Sequence, residues 1–164
     1  VGISAWSWLQ SSPFNQTRIT STMIKMEIKP VLTPNAPAPG GHYSQAIVHN
    51  GLIYIAGQLP IDPATGEKKL GSIEEQTEQV LANIRAILEA AGSNLNRVLK
   101  MTIYISDIEL WGKVNEVYAR ALGEHRPARA VVPIKELHYG FQIEIEAIAA
   151  VDPQHHENWL LSVH

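Results

Sequence analysis

Residues 72–107 read SIEEQTEQVLANIRAILEAAGSNLNRVLKMTIYISD, and within this one stretch the apolar period changes from helical to extended. Ser72 is an N-cap by type, and Glu75, three residues on, completes a capping box. Ile73, Thr77, Val80, Ile84, Ile87, Leu88 and Ala91 then share one helical face, with Glu74, Glu78, Arg85 and Glu89 largely outside it. Gly92 stands where a glycine ends a helix, because it accepts positive φ without steric cost. Further on, Leu99, Met101, Ile103 and Ile105 alternate with Lys100, Thr102 and Tyr104, as in a half-buried strand.

The flanking sequence repeats the pattern. Ser106 and Asp107 are placed to cap a second helix, whose predicted buried stripe is Trp111, Val114, Val117, Tyr118, Ala121 and Leu122. Two strands follow, over about 128–134 and 141–150. Upstream, apolar segments 44–48 and 52–56 flank His49-Asn50-Gly51, and Asn-Gly is the strongest short hairpin signal because a type I′ turn needs positive φ at both central residues. Asp62-Pro63-Ala64-Thr65-Gly66 is a turn, and PNAPAPGG over 34–41 is a loop. The order is strands, helix, strand, helix, strands, which implies crossovers that lay both helices on one face of a mixed sheet: an α+β sandwich. Two helices cannot cover both faces, so the other face must meet solvent or another subunit.

A chain of 164 residues suits one domain with a real core. The apolar fraction of 45% and charged fraction of 18% are ordinary for a globular protein, and no apolar run approaches the length of a membrane span. Net charge is −3 with no basic stripe, so nucleic acid is not expected as a partner. Without cysteine there is no disulfide, thiolate metal site or cysteine nucleophile. The seven histidines show no HxxxH or HExxH spacing, so no metal site is expected either. Residues 1–26 are rich in Ser and Thr and lack acids, which reads as a disordered extension or leader, with Met23 or Met26 as a natural start. A transit peptide would share that bias but carry more Arg, and the segment leaves cytosol and mitochondrion both open. The domain itself is placed at 27–151, with 152–164 a tail; Trp6, Trp8 and Trp159 could dock onto the body.

Three places could carry chemistry. On the last strand, Phe141, Ile143, Ile145, Ala147 and Ala149 point one way and Gln142, Glu144, Glu146 and Ile148 the other. Glu144 and Glu146 then lie on the uncovered face, either as solvated carboxylates or as groups that become buried on oligomerisation and act on water. In His125-Arg126-Pro127-Ala128-Arg129, Pro127 restricts Arg126 to extended conformations, and the arginines are either surface charges or a rigid fork for a carboxylate. Gly40-Gly41-His42-Tyr43-Ser44 leads into a strand rather than a helix N-terminus, so it is not a phosphate loop.

The residues also resemble the RidA (YjgF/YER057c/UK114) family over about 29–151. The resemblance rests on Gly41-His42-Tyr43-Ser44-Gln45-Ala46, Ile55-Ala56-Gly57-Gln58-Leu59-Pro60, Val114-Asn115-Glu116-Val117-Tyr118, Pro127-Ala128-Arg129-Ala130 and Ile143-Glu144-Ile145-Glu146-Ala147, in that order and spacing. It implies a chorismate-mutase-like fold, a mixed six-stranded sheet with two helices on one face, assembled as a homotrimeric barrel with clefts between subunits. It implies cofactor-free hydrolysis of reactive 2-imino or enamine acids to 2-keto acids and ammonia. Arg129 would bind the substrate carboxylate, Glu144 would hold or activate water, Tyr43 would line the cleft, and Asn115 would stand near it. Two positions depart from the family pattern: Ala56 replaces a frequent Ser and Val131 a frequent Cys, so only the Val131 backbone N–H could serve. The loop before Pro127 is also shorter than in the bacterial archetypes. Substrate preference therefore stays open: the same fold family includes ligand-binding regulators and proteins linked to translation inhibition or endoribonuclease activity, and Ala56 with the altered loop also leaves open an aminomuconate-like deaminase.

Overall fold

The computed structural model describes residues 27–154, so the expectations for 1–26, for Trp159 and for most of the tail lie outside it. Six strands, β1 (Lys29–Val31), β2 (Ala46–His49), β3 (Leu52–Gln58), β4 (Val98–Ile105), β5 (Ala128–Pro133) and β6 (Ile143–Ala150), form one sheet in the order β1-β2-β3-β6-β4-β5. Neighbours are antiparallel except β4 and β5, which are parallel. Helix α1 (Ile73–Ala90) connects β3 to β4, and α2 (Trp111–Leu122) connects β4 to β5. The last strand is inserted between β3 and β4, so α1 must cross over it. This is the expected mixed six-stranded α+β architecture.

Local chemistry explains several element ends. Asn50 (φ 51°) and Gly51 (φ 74°) make the two-residue turn closed by the His49–Leu52 pair. Ser72 Oγ accepts from Glu75 N–H at 3.2 Å, and Glu75 Oε2 accepts from Ser72 N–H at 2.9 Å, which completes the capping box. Gly92 lies at φ 72° just past the helix, where Ser93 N–H donates back to Leu88 C=O at 2.8 Å.

Packing, by contrast, moved several residues. Ile73, Thr77, Val80, Ile84, Ile87 and Leu88 of α1 are buried as expected, but so are Gln76, Leu81 and Asn83. Asn83 Nδ2 donates to Leu59 C=O (3.1 Å) and Ile61 C=O (3.0 Å), while its Oδ1 accepts from Gln79 at 2.9 Å. Gln76 accepts from Gln142 N–H at 2.9 Å. These amides bolt α1 to the chain leaving β3 and to the start of β6. Leu99, expected in the core, is 48% exposed, because the β4–β6 register breaks between Val98 and Lys100 and Val98 takes the inward place. Trp111, also expected in the core, is 45% exposed. Asp107 caps a short 3₁₀ turn, Ile108–Leu110, rather than α2 itself; α2 begins one turn later and Leu110 packs inward instead. The first strand has no readable period: it is three residues long, contains Pro30 and sits at an edge.

Core side chains of β3, β4 and β6 (Ile53, Ile55, Met101, Ile103, Ile105, Ile143, Ile145) meet the helices. On the reverse face Tyr54, Lys100, Thr102, Glu146 and Ile148 line a shallow hollow that no element of the described chain covers. Replacement Asn83→Leu leaves the carbonyls of Leu59 and Ile61 without their donor. The expected result is a loss of about 1–3 kcal/mol, read as a lower urea midpoint with an unchanged slope.

Candidate active site

Arg129 stands on β5, which borders only β4 and therefore has one free edge. In the parallel register it pairs with Met101, and paired residues point to the same side of a sheet. Met101 is fully buried under the helices, so Arg129 also emerges on the helix side, where it meets α2. Its Nη1 donates to Asn115 Oδ1 at 2.9 Å, and its guanidinium carbon lies 4.8 Å from the centre of the Tyr118 ring. Asn115 and Tyr118 are three residues apart and so lie on one helical face. No carboxylate pairs with Arg129 among the described residues, whose ion pairs all involve Lys69, Lys113 or Arg120. The guanidinium is thus held by a neutral amide and an aromatic face, and keeps its charge and most of its donors for an incoming anion. Val131, two residues along on the same side, is half-buried against the core.

Glu144 is placed differently. It pairs with Tyr104 across β4–β6, between the inward pairs Ile103–Ile145 and Ile105–Ile143, so it occupies the uncovered face. The β3–β6 register breaks between Ile55 and Gln58, leaving Ala56 and Gly57 in a bulge beside it. A Cβ at Gly57 would run into the Glu144 carboxylate, so the glycine provides the niche in which that carboxylate rests. Burial pushes the Glu144 carboxyl above its ordinary value; the positive charge available to His138 opposes this and the charge of Glu146 adds to it. Glu146 is exposed and accepts a long hydrogen bond, 3.4 Å, from the Tyr104 hydroxyl.

Tyr43 is 52% exposed, with its hydroxyl accepting from Gly40 N–H at 3.1 Å. Its loop is anchored by buried Gln45, whose Oε1 accepts from Thr33 N–H (2.6 Å) and whose Nε2 donates to the carbonyls of Thr33, Ala36 and Pro37 (3.0, 3.0 and 2.8 Å). Ala56 N–H donates to Gln45 C=O at 3.0 Å, which joins this loop to the Glu144 bulge.

One chain therefore brings together Arg129, Asn115 and Val131 on the helix side, and Glu144 and Ala56 on the bare side. Arg129 and Glu144 face away from each other across the sheet. Reasoning from side-chain type passed over Tyr118, Gly57 and Gln45. Tyr118 reads as an ordinary member of an apolar stripe, and a glycine or glutamine carries no sign of the neighbour it serves.

The chain is similar along most of its length to known proteins. The endoribonuclease L-PSP family model matches residues 33–151. A RutC family protein of Pyrococcus horikoshii is 55% identical over 119 residues, 73% of this chain and 94% of the relative. The 2-iminobutanoate/2-iminopropanoate deaminase of Rattus norvegicus is 41% identical over 125 residues, 76% of this chain and 91% of the relative. The crystal structure of E. coli TdcF with bound serine superimposes with a TM-score of 0.72 at 34% identity, covering 76% of this chain and 99% of that one. With the family model spanning most of the chain and relatives this similar along nearly their whole length, the chain belongs to the RidA family, the group described by the endoribonuclease L-PSP model.

Proposed function

We propose that the protein hydrolyses reactive 2-imino and enamine acids to 2-keto acids and ammonia. The observation that carries this reading is the Arg129 guanidinium, in contact with the Asn115 amide and the Tyr118 ring yet without a carboxylate partner among the described residues. A fork held this way suits a small carboxylate bound through two parallel hydrogen bonds. The deaminase name of the Rattus norvegicus relative supplies the reaction class.

Because Arg129 and Glu144 occupy opposite faces, the complete site needs two copies: the Arg129 side of one subunit against the bare, Glu144-bearing face of its neighbour. A homotrimer with three such clefts satisfies that requirement and gives the bare face its cover. Arg129 then fixes the substrate carboxylate, aided by the Val131 backbone N–H, and converts a loose encounter into an oriented one. Tyr43 and Ala56 line the opposing wall. Glu144 accepts a proton from water as the water oxygen bonds to the imine carbon, then returns that proton to nitrogen. The carbinolamine hydroxyl then gives up its proton, Glu144 relays it to nitrogen, and the C–N bond breaks as the C=O bond forms, releasing ammonia and the keto acid. An imine is electrophilic from the outset, an enamine becomes so once its β-carbon takes a proton from water and gives the imine, and no electrons are exchanged, so these residues suffice for the chemistry.

A simple ligand-binding role is the second reading, favoured by the serine in the TdcF structure. The ribonuclease named by the family model is disfavoured by the net charge of −3 and by the lack of a basic run. An aminomuconate-like deaminase differs only in substrate, and ammonia release across several imines separates it from a general scavenger.

In an assay coupled to an amino-acid oxidase or threonine dehydratase, with imine decay followed by semicarbazide, the wild type should accelerate keto-acid formation. Arg129→Ala should lose about 100-fold or more in kcat/KM while sedimenting as the same oligomer. Full activity in that variant, or a wild type that sediments as an active monomer, would overturn the composite site. For Glu144 the base form is the active one, so the rate should rise with pH through a carboxyl pKa above the ordinary value. Glu144→Gln should lower kcat about 100-fold or more and abolish that limb. Stability carries the opposite sign: a raised folded-state pKa favours the fold at low pH, and that contribution is lost as pH rises through it. Chemical denaturation against pH should therefore show a flatter profile in Glu144→Gln.

A further inference from the structure

We infer that Tyr118 is a positioning residue for the anion site, its ring face serving as the platform that sets the plane of the Arg129 guanidinium. This inference rests on the proposed carboxylate-binding role of Arg129 and assigns how that role is prepared.

Tyr118 belongs to the buried stripe of α2 and is 7% exposed, so its ring is fixed by the core on which it packs. Arg129 is exposed and lies over that ring at 4.8 Å. An exposed arginine ordinarily samples many rotamers, and that freedom is lost whenever it binds a ligand. Here two contacts one helical turn apart remove it beforehand. The Asn115 amide accepts from Nη1 and fixes rotation within the guanidinium plane, while the Tyr118 ring fixes the plane itself. Nε and Nη2 have no acceptor among the described residues and make up the free edge of the fork.

The hydroxyl of Tyr118 has a different status from the ring. Its oxygen is buried without a hydrogen-bond partner among the described residues. Burial pushes the phenol above its ordinary value, with the Arg129 charge opposing, so the group stays neutral and sits out of ligand reach. The working part is therefore the π face, which phenylalanine reproduces and leucine does not.

The test compares wild type, Tyr118→Phe and Tyr118→Leu in three readouts: calorimetric binding of 2-ketobutyrate, imine-decay kinetics, and the NMR shift of the Arg129 Nε–H proton, assigned by its loss in Arg129→Lys. Tyr118→Phe should bind and turn over within about twofold of wild type, with no loss of thermal stability, because an unpaired buried hydroxyl is removed. Tyr118→Leu, measured where it is fully folded, should bind the keto acid about five- to tenfold more weakly and raise KM by a similar factor. Its kcat should stay within about twofold and its pH profile should not move, since Glu144 is untouched. The ring-current displacement of the Nε–H resonance should be present in wild type and Tyr118→Phe and absent in Tyr118→Leu. Undiminished keto-acid affinity in Tyr118→Leu, or equal loss in Tyr118→Phe, would overturn the platform role. If wild type neither binds the keto acid nor accelerates imine loss, the deaminase reading fails. The NMR shift then still decides whether the ring holds the guanidinium, and an unshifted wild-type resonance refutes it.

Discussion

Both helices pack on one face of the six-stranded sheet, so no element of the described chain covers the reverse face, and the placement of the two candidate charges follows from that one-sidedness. The helices bury the Ile- and Met-rich face of the central strands. The other face carries Tyr54, Lys100, Thr102, Tyr104, Glu144 and Glu146 in its place, polar enough to tolerate water and apolar enough to accept a partner. A composite site between copies is a natural use of such a surface, since the two candidate chemical groups leave the sheet on opposite sides.

The two charged groups are prepared by different physics. Glu144 is half-buried, a placement that disfavours its ionised form, and the glycine at 57 in the β3 bulge is what makes room for it. A bulge there also turns Gln58 inward, where it is 4% exposed and donates to the carbonyl of Ala56 at 3.0 Å. Arg129 escapes desolvation by standing at the sheet edge, and gains order from α2 instead of from a counter-charge. A carboxylate neighbour would have steadied it equally well but would have neutralised the charge that an anion site requires.

Much of this was readable from the sequence wherever structure depends on residues a few positions apart. The capping box of Ser72 and Glu75, the Asn50-Gly51 turn, the stop at Gly92 and the two faces of β6 all rest on contacts between near neighbours or on strand alternation. Strand alternation and the Pro127 context raised Glu144 and Arg129 as candidates, and the family resemblance added Asn115 and the role each residue would have.

Tertiary structure decided what no local pattern encodes. The insertion of β6 and the edge position of β5 determine which side of the sheet each charge occupies. The register break at Val98 turned Leu99 outward, and the 3₁₀ turn after Asp107 delayed α2 and turned Trp111 outward. Gly57 beneath Glu144, far apart in the chain, and Tyr118 beneath Arg129, on different elements, are pairings where the role of one residue is defined only by the position of the other. Hydrogen bonds and apolar periods of a few residues are written along the chain; distances between strands brought together by packing are not.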